Sequence, residues 1–229
     1  MGVASVTNIL IAGAVGLVLS LLGTPLAIKG FRKRGWGQLI REEGPKAHFE
    51  KRGTPTMGGL VILAGTVCGY ALGHLGTGGY TSPTDSGLLA MGTIIALAGL
   101  GFLDDMIKIR KSRSLGLHTR AKFLGQLIIA AGFSVLAVHV VHIHTDISFF
   151  RSTALHLGIF FYLWVFVMMA ASSNGVNLTD GLDGLAVGSA AQVLAAFVVI
   201  AFWQFRHGAF YGAGQHASDP FELALVASA

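Results

Sequence analysis

The chain has 229 residues, of which 53% are hydrophobic and only 12% are charged, and its mean hydropathy is +0.67. Soluble domains carry about 25% charged residues, so this composition excludes an ordinary soluble domain and indicates an integral membrane protein. The net charge of +5 could suggest nucleic acid as a partner. The basic residues cluster beside apolar stretches, however, and this placement argues against a nucleic-acid partner.

Six apolar stretches contain no Asp, Glu, Lys or Arg: residues 5–28, 57–75, 86–103, 123–141, 154–171 and 184–203. Each has the length that a helix needs to cross the hydrocarbon core, about 20 residues. A seventh apolar run begins near Phe221 and reaches Ala229, which is too short to cross. The sequence therefore predicts an all-α fold: a polytopic transmembrane helical bundle of six complete spans plus the start of a seventh. Residues 1–229 would form a single membrane-embedded domain.

The basic residues predict the orientation of this bundle. Eight of the 16 Lys and Arg lie within residues 29–52, and six lie within residues 108–122. Because cytoplasmic loops carry an excess of Lys and Arg, both segments are expected in the cytoplasm and the N-terminus on the periplasmic or extracellular side. The loop after the fifth stretch, near Asp180, then falls on the same cytoplasmic face.

Two adjacent acids, Asp104 and Asp105, stand at the predicted cytoplasmic end of the third span. Neighbouring carboxylates repel each other and are disfavoured at a helix C-terminus, so a purely structural role would not select them. In one interpretation Lys108 and Arg110 pair with them, which explains one acid more easily than two. In the other, the acids hold Mg²⁺, a hard cation that binds carboxylates together with substrate phosphates.

A second polar cluster, SNGVNLTDGLDGLA, covers residues 173–186. Asn174, Asn177 and Asp180 are three residues apart and could share one broad face of a helix. The glycines that follow indicate that this helix ends there, which puts Asp183 in the connecting turn. Structural alternatives are an N-cap role for Asp183 and interhelical hydrogen bonds for the two Asn side chains.

A third polar segment, KAHFEKRGTPTMGG, covers residues 46–59. It lacks the Gly-Lys-Ser/Thr ending of a P-loop, which excludes that class of nucleotide hydrolase. Its Gly/Thr/Pro turn could present backbone N–H groups to an anion, or could serve only as a tight turn into the second span. Acids for Mg²⁺, bases for phosphates and a membrane setting together predict phosphoryl transfer to a substrate held in lipid.

Four stretches, KRGTPTMGG, FLDDMIKIRKSRSLGL, RAKFLGQ and NGVNLTDGLDGLA, resemble the phospho-N-acetylmuramoyl-pentapeptide transferase family in order and spacing. This family lies within the polyprenyl-phosphate N-acetylhexosamine-1-phosphate transferases. The resemblance implies a Mg²⁺-dependent enzyme of the bacterial inner (plasma) membrane, with its active site facing the cytoplasm. Its substrates would be UDP-N-acetylmuramoyl-pentapeptide and undecaprenyl phosphate. Its products, lipid I and UMP, would belong to peptidoglycan biosynthesis, on which cell shape and cell division depend.

The resemblance also implies roles for individual residues. Asp104 and Asp105 correspond to paired catalytic acids that position Mg²⁺, and one of them could deprotonate the lipid phosphate; Asp180 corresponds to a further catalytic carboxylate. Both a covalent aspartyl intermediate and direct attack by the lipid phosphate stay open. The residues implied to bind substrate are Lys51, Thr56, Lys108, Lys122, Asn174, Asn177, Gly181, Leu182 and Asp183.

Members of this family have ten spans and, beyond the sixth, a Gly-Asp-x-Gly-Ser motif and a His-rich cytoplasmic loop. The resemblance therefore implies that the chain is the N-terminal portion of the family fold, and that a homodimer would form through helices that include the missing part. The alternatives are a related UDP-N-acetylglucosamine:undecaprenyl-phosphate sugar-phosphate transferase and an inactive truncated membrane protein. A transporter is disfavoured because no charge lies at mid-span.

Overall fold

The computed structural model describes residues 2–36, 57–76, 82–111, 116–148, 152–180, 184–211 and 214–229, which are almost entirely helical. The helices are α1 (Gly2–Lys33), α2 (Gly59–Gly73), α3 (Asp85–Arg110), α4 (Thr119–His139), α5 (Phe160–Thr179), α6 (Leu185–Arg206), α7 (Gly208–Tyr211) and α8 (Asp219–Ser228), with a 3-10 turn at Gly214–His216. Two strands, β1 (Asp146–Ser148) and β2 (Ser152–His156), form an antiparallel hairpin between α4 and α5.

Five of the described helices, α1, α3, α4, α5 and α6, are long and apolar enough to cross a membrane. Helix α2 is apolar too, but it has only 15 residues, fewer than the about 20 that a full crossing takes. Many of the large apolar side chains on these helices are exposed, as expected for a surface that faces lipid. The helical membrane protein is thus confirmed in outline, whereas six complete spans and an external N-terminus remain predictions.

Helices α1 and α2 pack through small residues. Gly65, Gly69 and Gly73 recur every fourth position along α2. A Cβ atom added at Gly69 would lie 2.6 Å from the carbonyl oxygen of Ala12, and one added at Gly65 would lie 2.9 Å from that of Gly16. Such close backbone approach through glycine is a common mode of helix association in membranes. These glycines are therefore required by the α1–α2 contact.

A buried carboxylate, Glu222, joins α8 to the rest of the bundle. Its side chain is 2% exposed and accepts a 2.6 Å hydrogen bond from the hydroxyl of Tyr70 on α2. The Nε2 atom of His74 lies 3.4 Å from the same carboxylate oxygen. Burying a carboxylate is costly unless it is paired, so these partners account for its position beside the apolar cluster that includes Phe221 and Leu225.

The β-hairpin corrects the sequence-based prediction in one respect. The fifth span was expected to begin at residue 154, whereas β2 runs Ser152–His156 and α5 begins at Phe160. Asp146 and His156 are partners in the ladder, and their side chains also contact each other as carboxylate and imidazole. Because this polar cross-strand pair stabilises an extended conformation here, the prediction of an all-α chain is wrong for the hairpin.

Candidate functional site

A cavity of about 350 Å³ lies where α3 and α5 end and where α2 and α4 begin. Its lining comes from the last three turns of α3, the starts of α2 and α4 and the end of α5. The polar side chains that line it are Asp104, Asp105, Lys108, Lys122, Gln126, Ser173 and Asn177. Five of the residues singled out from the sequence, on three different helices, thus lie around one cavity.

The paired acids lie within the last turns of α3, because this helix continues past the predicted end of the span to Arg110. The ammonium of Lys108 lies 2.6 Å from Asp104 Oδ2 and 2.9 Å from Asp105 Oδ1. The ion-pair interpretation was expected to explain one acid more easily than two, yet Lys108 alone bridges both. The carboxylates remain partly exposed, at 21% and 33%, so they are accessible from the cavity.

The second oxygen of Asp104 is held by the chain that leads into α4. Asp104 Oδ1 accepts a 2.7 Å hydrogen bond from the backbone N–H of Leu117. The preceding Gly116 passes so close that an added Cβ atom would lie 2.2 Å from Asp104 Oδ1. Both carboxylate oxygens of Asp104 therefore have fixed partners, which orients this side chain more tightly than that of Asp105.

Lys122 lies one turn into α4 and lines the cavity from that helix, and Asn177 lines it from α5. Asp180, by contrast, stands at the C-cap of α5, is exposed and is not among the cavity-lining residues. It follows Asn177 by three residues on the same helix, so it is at the same end of the bundle as the cavity but beyond its wall. The predicted helix face of Asn174, Asn177 and Asp180 is therefore only partly turned into the site.

Asn174 reaches the site indirectly. Its side-chain Nδ2 donates to Gln126 Oε1 at 3.3 Å and to the carbonyl oxygen of Ala170 at 2.8 Å. Gln126 Nε2 in turn donates to Ser173 Oγ at 3.2 Å. This network confirms the interhelical hydrogen bonding considered for Asn174. Gln126 and Ser173 were not recognised in the sequence, although Gln126 is the only carboxamide in the apolar stretch 123–141.

Some of the predicted residues lie outside the described parts of the chain: Lys51, Thr56, Gly181, Leu182 and Asp183. Two described residues next to these segments, Met57 and Gly184, have left-handed backbone conformations. Met57 lines the cavity with φ at 71°, a left-handed conformation that costs a residue with a side chain about 1–2 kcal/mol. Strain of this kind clusters at functional sites. Gly184, with φ at 82°, occupies the N-cap position of α6.

The carboxylate oxygens beside this cavity are the type of ligand that a hard divalent cation prefers. Carboxylate oxygens such as those of Asp104 and Asp105 are preferred ligands of Mg²⁺, which is commonly held by one or two carboxylates together with water and substrate phosphates. In the parts of the chain that the structure describes, no group of three or more His, Cys, Asp and Glu side chains could hold a metal ion.

Comparison with protein-family models gives two matches. The model described as Glycosyl transferase family 4 matches residues 87–227, which include Asp104, Asp105, Lys122 and Asp180. A model described as Phospho-N-acetylmuramoyl-pentapeptide-transferase signature 1 matches residues 51–63. The second match covers the KRGTPTMGG segment, which carries Lys51 and Thr56.

Curated relatives match nearly the whole chain. It is 52% identical over 234 residues to a phospho-N-acetylmuramoyl-pentapeptide-transferase of Frankia alni, a match that covers 97% of this chain and 65% of the relative. Relatives of the same name from Rhodococcus jostii and Streptomyces avermitilis are 47% and 46% identical, each over 97% of this chain and 66% of the relative. The chain thus spans about two thirds of the length of these relatives.

Proposed function

The chain belongs to glycosyl transferase family 4, and we propose that it transfers phospho-N-acetylmuramoyl-pentapeptide from UDP to undecaprenyl phosphate, giving lipid I and UMP for peptidoglycan biosynthesis. The observation that carries this proposal is the single cavity lined by Asp104, Asp105, Lys108, Lys122 and Asn177. The relatives from Frankia, Rhodococcus and Streptomyces are named for this transfer, and the similarity extends over 97% of the chain.

In the direct form of the proposed reaction, one of the two forms left open by the sequence, an oxygen of undecaprenyl phosphate attacks the phosphorus atom that bears the sugar. A P–O bond to the lipid phosphate forms while the P–O bond that joins the two phosphates of the nucleotide breaks, and UMP leaves with the bridging oxygen and the electron pair. Phosphoryl transfer of this kind depends mainly on positioning and on neutralising negative charge. A cavity with two acids and two ammonium groups is suited to both tasks.

The lysines supply positive charge for the phosphates. An ammonium group has three donors, and Lys108 uses two of them on Asp104 and Asp105. The third can reach a phosphate oxygen in the cavity. Lys122, on α4, gives a second cation in the cavity lining. A diphosphate placed between α3 and α4 would thus be contacted from both sides.

The two acids, Asp104 and Asp105, hold Lys108 in position and can accept a proton. Asp104 is oriented through both oxygens, by Lys108 and by the N–H of Leu117. Asp105 contacts Lys108 through Oδ1, so its Oδ2 is available to take a proton from the lipid phosphate or to bind a cation. When bound, Mg²⁺ would neutralise the charge of the diphosphate and of the leaving UMP. The two carboxylates would hold the metal ion.

The setting we propose is the inner (plasma) membrane of a bacterium, with the cavity facing the cytoplasm. In support, Lys108 and Arg110 end α3, Arg32 and Lys33 end α1, and the cavity lies at the Lys108 end of α3. Excess positive charge is typical of the cytoplasmic side. A nucleotide substrate could then enter from the cytoplasm, while undecaprenyl phosphate approaches within the bilayer. A homodimer forms part of the same proposal.

The deciding experiment measures UMP release in detergent from UDP-N-acetylmuramoyl-pentapeptide and undecaprenyl phosphate. We expect the 229-residue chain to release UMP only with Mg²⁺, and Asp104→Asn, Asp105→Asn or Asp180→Asn to abolish release without loss of expression or membrane insertion. Asp85→Asn, at the opposite end of α3, is the matched control and should retain activity. Full activity of the triple Asn variant would refute the site.

A parallel reaction with UDP-N-acetylglucosamine as donor separates the two nucleotide-sugar classes. Release of UMP from the muramoyl-pentapeptide nucleotide alone supports the proposed substrate. Preference for the N-acetylglucosamine nucleotide would instead identify the chain as a UDP-N-acetylglucosamine:undecaprenyl-phosphate sugar-phosphate transferase. No release from either donor, by a chain that inserts normally, would mean that the 229-residue chain does not catalyse the transfer by itself.

A further inference from the structure

Gln126 is the most deeply buried polar residue of the cavity wall. Its side chain is 0% exposed, and it lies two turns into α4, one turn beyond Lys122. A buried carboxamide must satisfy its donors and its acceptor or leave them at a cost of about 1–3 kcal/mol. Gln126 does so by bonding to α5 rather than to its own helix.

The two ends of the carboxamide contact consecutive residues of α5. Nε2 donates to Ser173 Oγ at 3.2 Å, and Oε1 accepts from Asn174 Nδ2 at 3.3 Å. Asn174 is also tied to its own helix through the carbonyl oxygen of Ala170. Because a planar amide is held at both ends, this contact fixes α5 relative to α4 in distance and in rotation.

One turn beyond this contact, α5 presents Asn177 to the cavity. Asp104 and Asp105, which line the cavity from α3, are held by Lys108 and Leu117, and these contacts do not involve Gln126. The α3 wall is therefore fixed independently, and the position of the α5 wall relative to it depends on the contact between α4 and α5.

We propose that Gln126 is a positioning residue: its buried carboxamide, bonded to Ser173 and Asn174, sets the position of the Asn177 wall for binding the nucleotide substrate. This inference rests on the proposed function for the identity of that substrate. The predicted consequence is a defect in nucleotide binding larger than the defect in turnover, because the acids of α3 keep their own partners.

The test variant is Gln126→Met, which keeps the length and volume of the side chain and removes both hydrogen bonds. The matched control is Ser134→Ala. Ser134 is equally buried on α4, but its hydroxyl donates to Ala130 of the same helix at 2.7 Å. Both variants remove buried polar groups from α4, and only the first breaks the contact with α5.

Two measurements are made on the whole chain in detergent. Nitroxide labels at exposed Arg120 and Leu178, in a Cys68→Ala background, report the spacing of α4 and α5. Calorimetry with UDP and kinetics with UDP-N-acetylmuramoyl-pentapeptide report binding and turnover. For Gln126→Met we expect a broadened label distance, a Kd and a KM raised about tenfold, and kcat changed less than about threefold.

Ser134→Ala should match the parent in every measurement. An unchanged label distance in Gln126→Met would overturn the proposal, as would a broadened distance with unchanged nucleotide affinity. If the parent chain neither binds UDP nor releases UMP, the proposed function fails, while the label distances still decide whether Gln126 positions α5.

Discussion

The carboxylate of Asp104 accepts a hydrogen bond of 2.7 Å from the backbone N–H of Leu117, thirteen positions further along the chain. This bond joins the end of α3 to the segment that leads into α4. It also places the backbone of Gly116 against the carboxylate, where a side chain would not fit. The orientation of one acid therefore depends on a glycine in the connecting segment.

Gly116→Ala should lower the rate of UMP release about ten- to a hundredfold, because the new methyl group displaces a carboxylate whose hydrogen bonds are worth about 1.5–3 kcal/mol each. The initial rate at saturating substrate is the measurement. Gly99→Ala, within α3, is the control, since an added Cβ atom there meets nothing within 4 Å. Equal rates for the two variants would show that the approach of Gly116 to Asp104 has no role in the reaction.

The two acids should differ in their effect on stability. Asp104→Asn leaves the Leu117 N–H without a charged acceptor and removes one of the two carboxylates that Lys108 contacts, whereas the contact described for Asp105 is the one with Lys108. We expect both Asn variants to lose activity, but only Asp104→Asn to lower the thermal unfolding temperature in detergent clearly, by the equivalent of about 1–3 kcal/mol. Asp85→Asn serves again as control. A larger loss in Asp105→Asn would contradict the proposed division of roles.

Tyr70→Phe should destabilise the bundle without affecting the cavity. It removes the 2.6 Å hydrogen bond to Glu222, which is 2% exposed and would keep His74 and the backbone N–H of Thr84 as partners. The expected cost is about 1–3 kcal/mol, seen as a lower unfolding temperature with an unchanged KM. Tyr162→Phe, whose ring packs against Phe161, is the matched control and should unfold like the parent.

A branched side chain at Gly69 should separate α1 from α2. Gly69→Val would place atoms within 2.6 Å of the Ala12 carbonyl oxygen, and overpacking of this kind costs about 1–3 kcal/mol. The measurement is resistance to unfolding by SDS. Gly188→Val on α6, where an added Cβ atom meets nothing within 4 Å, makes the same chemical change in open space. If both variants unfold alike, the α1–α2 contact does not contribute to stability.

The absence of charges from long apolar stretches predicted most of the helices, because a charged side chain is expensive in hydrocarbon whatever the fold. The absence of charges did not, however, locate the ends of the helices correctly. The uncharged stretch counted for the fifth span ends at residue 171, whereas α5 continues to Thr179, in agreement with the helix face predicted for Asn174, Asn177 and Asp180. On this continuation Asn174 finds a partner on α4, Gln126. Composition alone carries no information about such partners.

The acids and lysines around the cavity could be recognised in the sequence because each is an exception in an apolar chain. The contact of Asp104 with Leu117 could not, since a backbone N–H leaves no signal in the sequence. Gln126 could have been noticed as a lone carboxamide in an apolar stretch, but its partners depend on how α4 and α5 pack. The hairpin was missed because residues 154–171, which include Leu155 and His156, contain no Asp, Glu, Lys or Arg. The search for uncharged stretches therefore assigned the end of β2 to the fifth span.

The hairpin β1–β2 connects α4 to α5, so a change in the angle between the two helices at the hairpin moves their far ends by a larger distance. It joins the two helices at the end opposite the cavity, and Asn177 lies 17 residues beyond the start of α5 at Phe160, a distance of about 26 Å at 1.5 Å per residue. A tilt of only about 2° at the hairpin would therefore swing Asn177 by about 1 Å. A small angular change at the hairpin is thus magnified into a displacement of the cavity wall at the far end of α5.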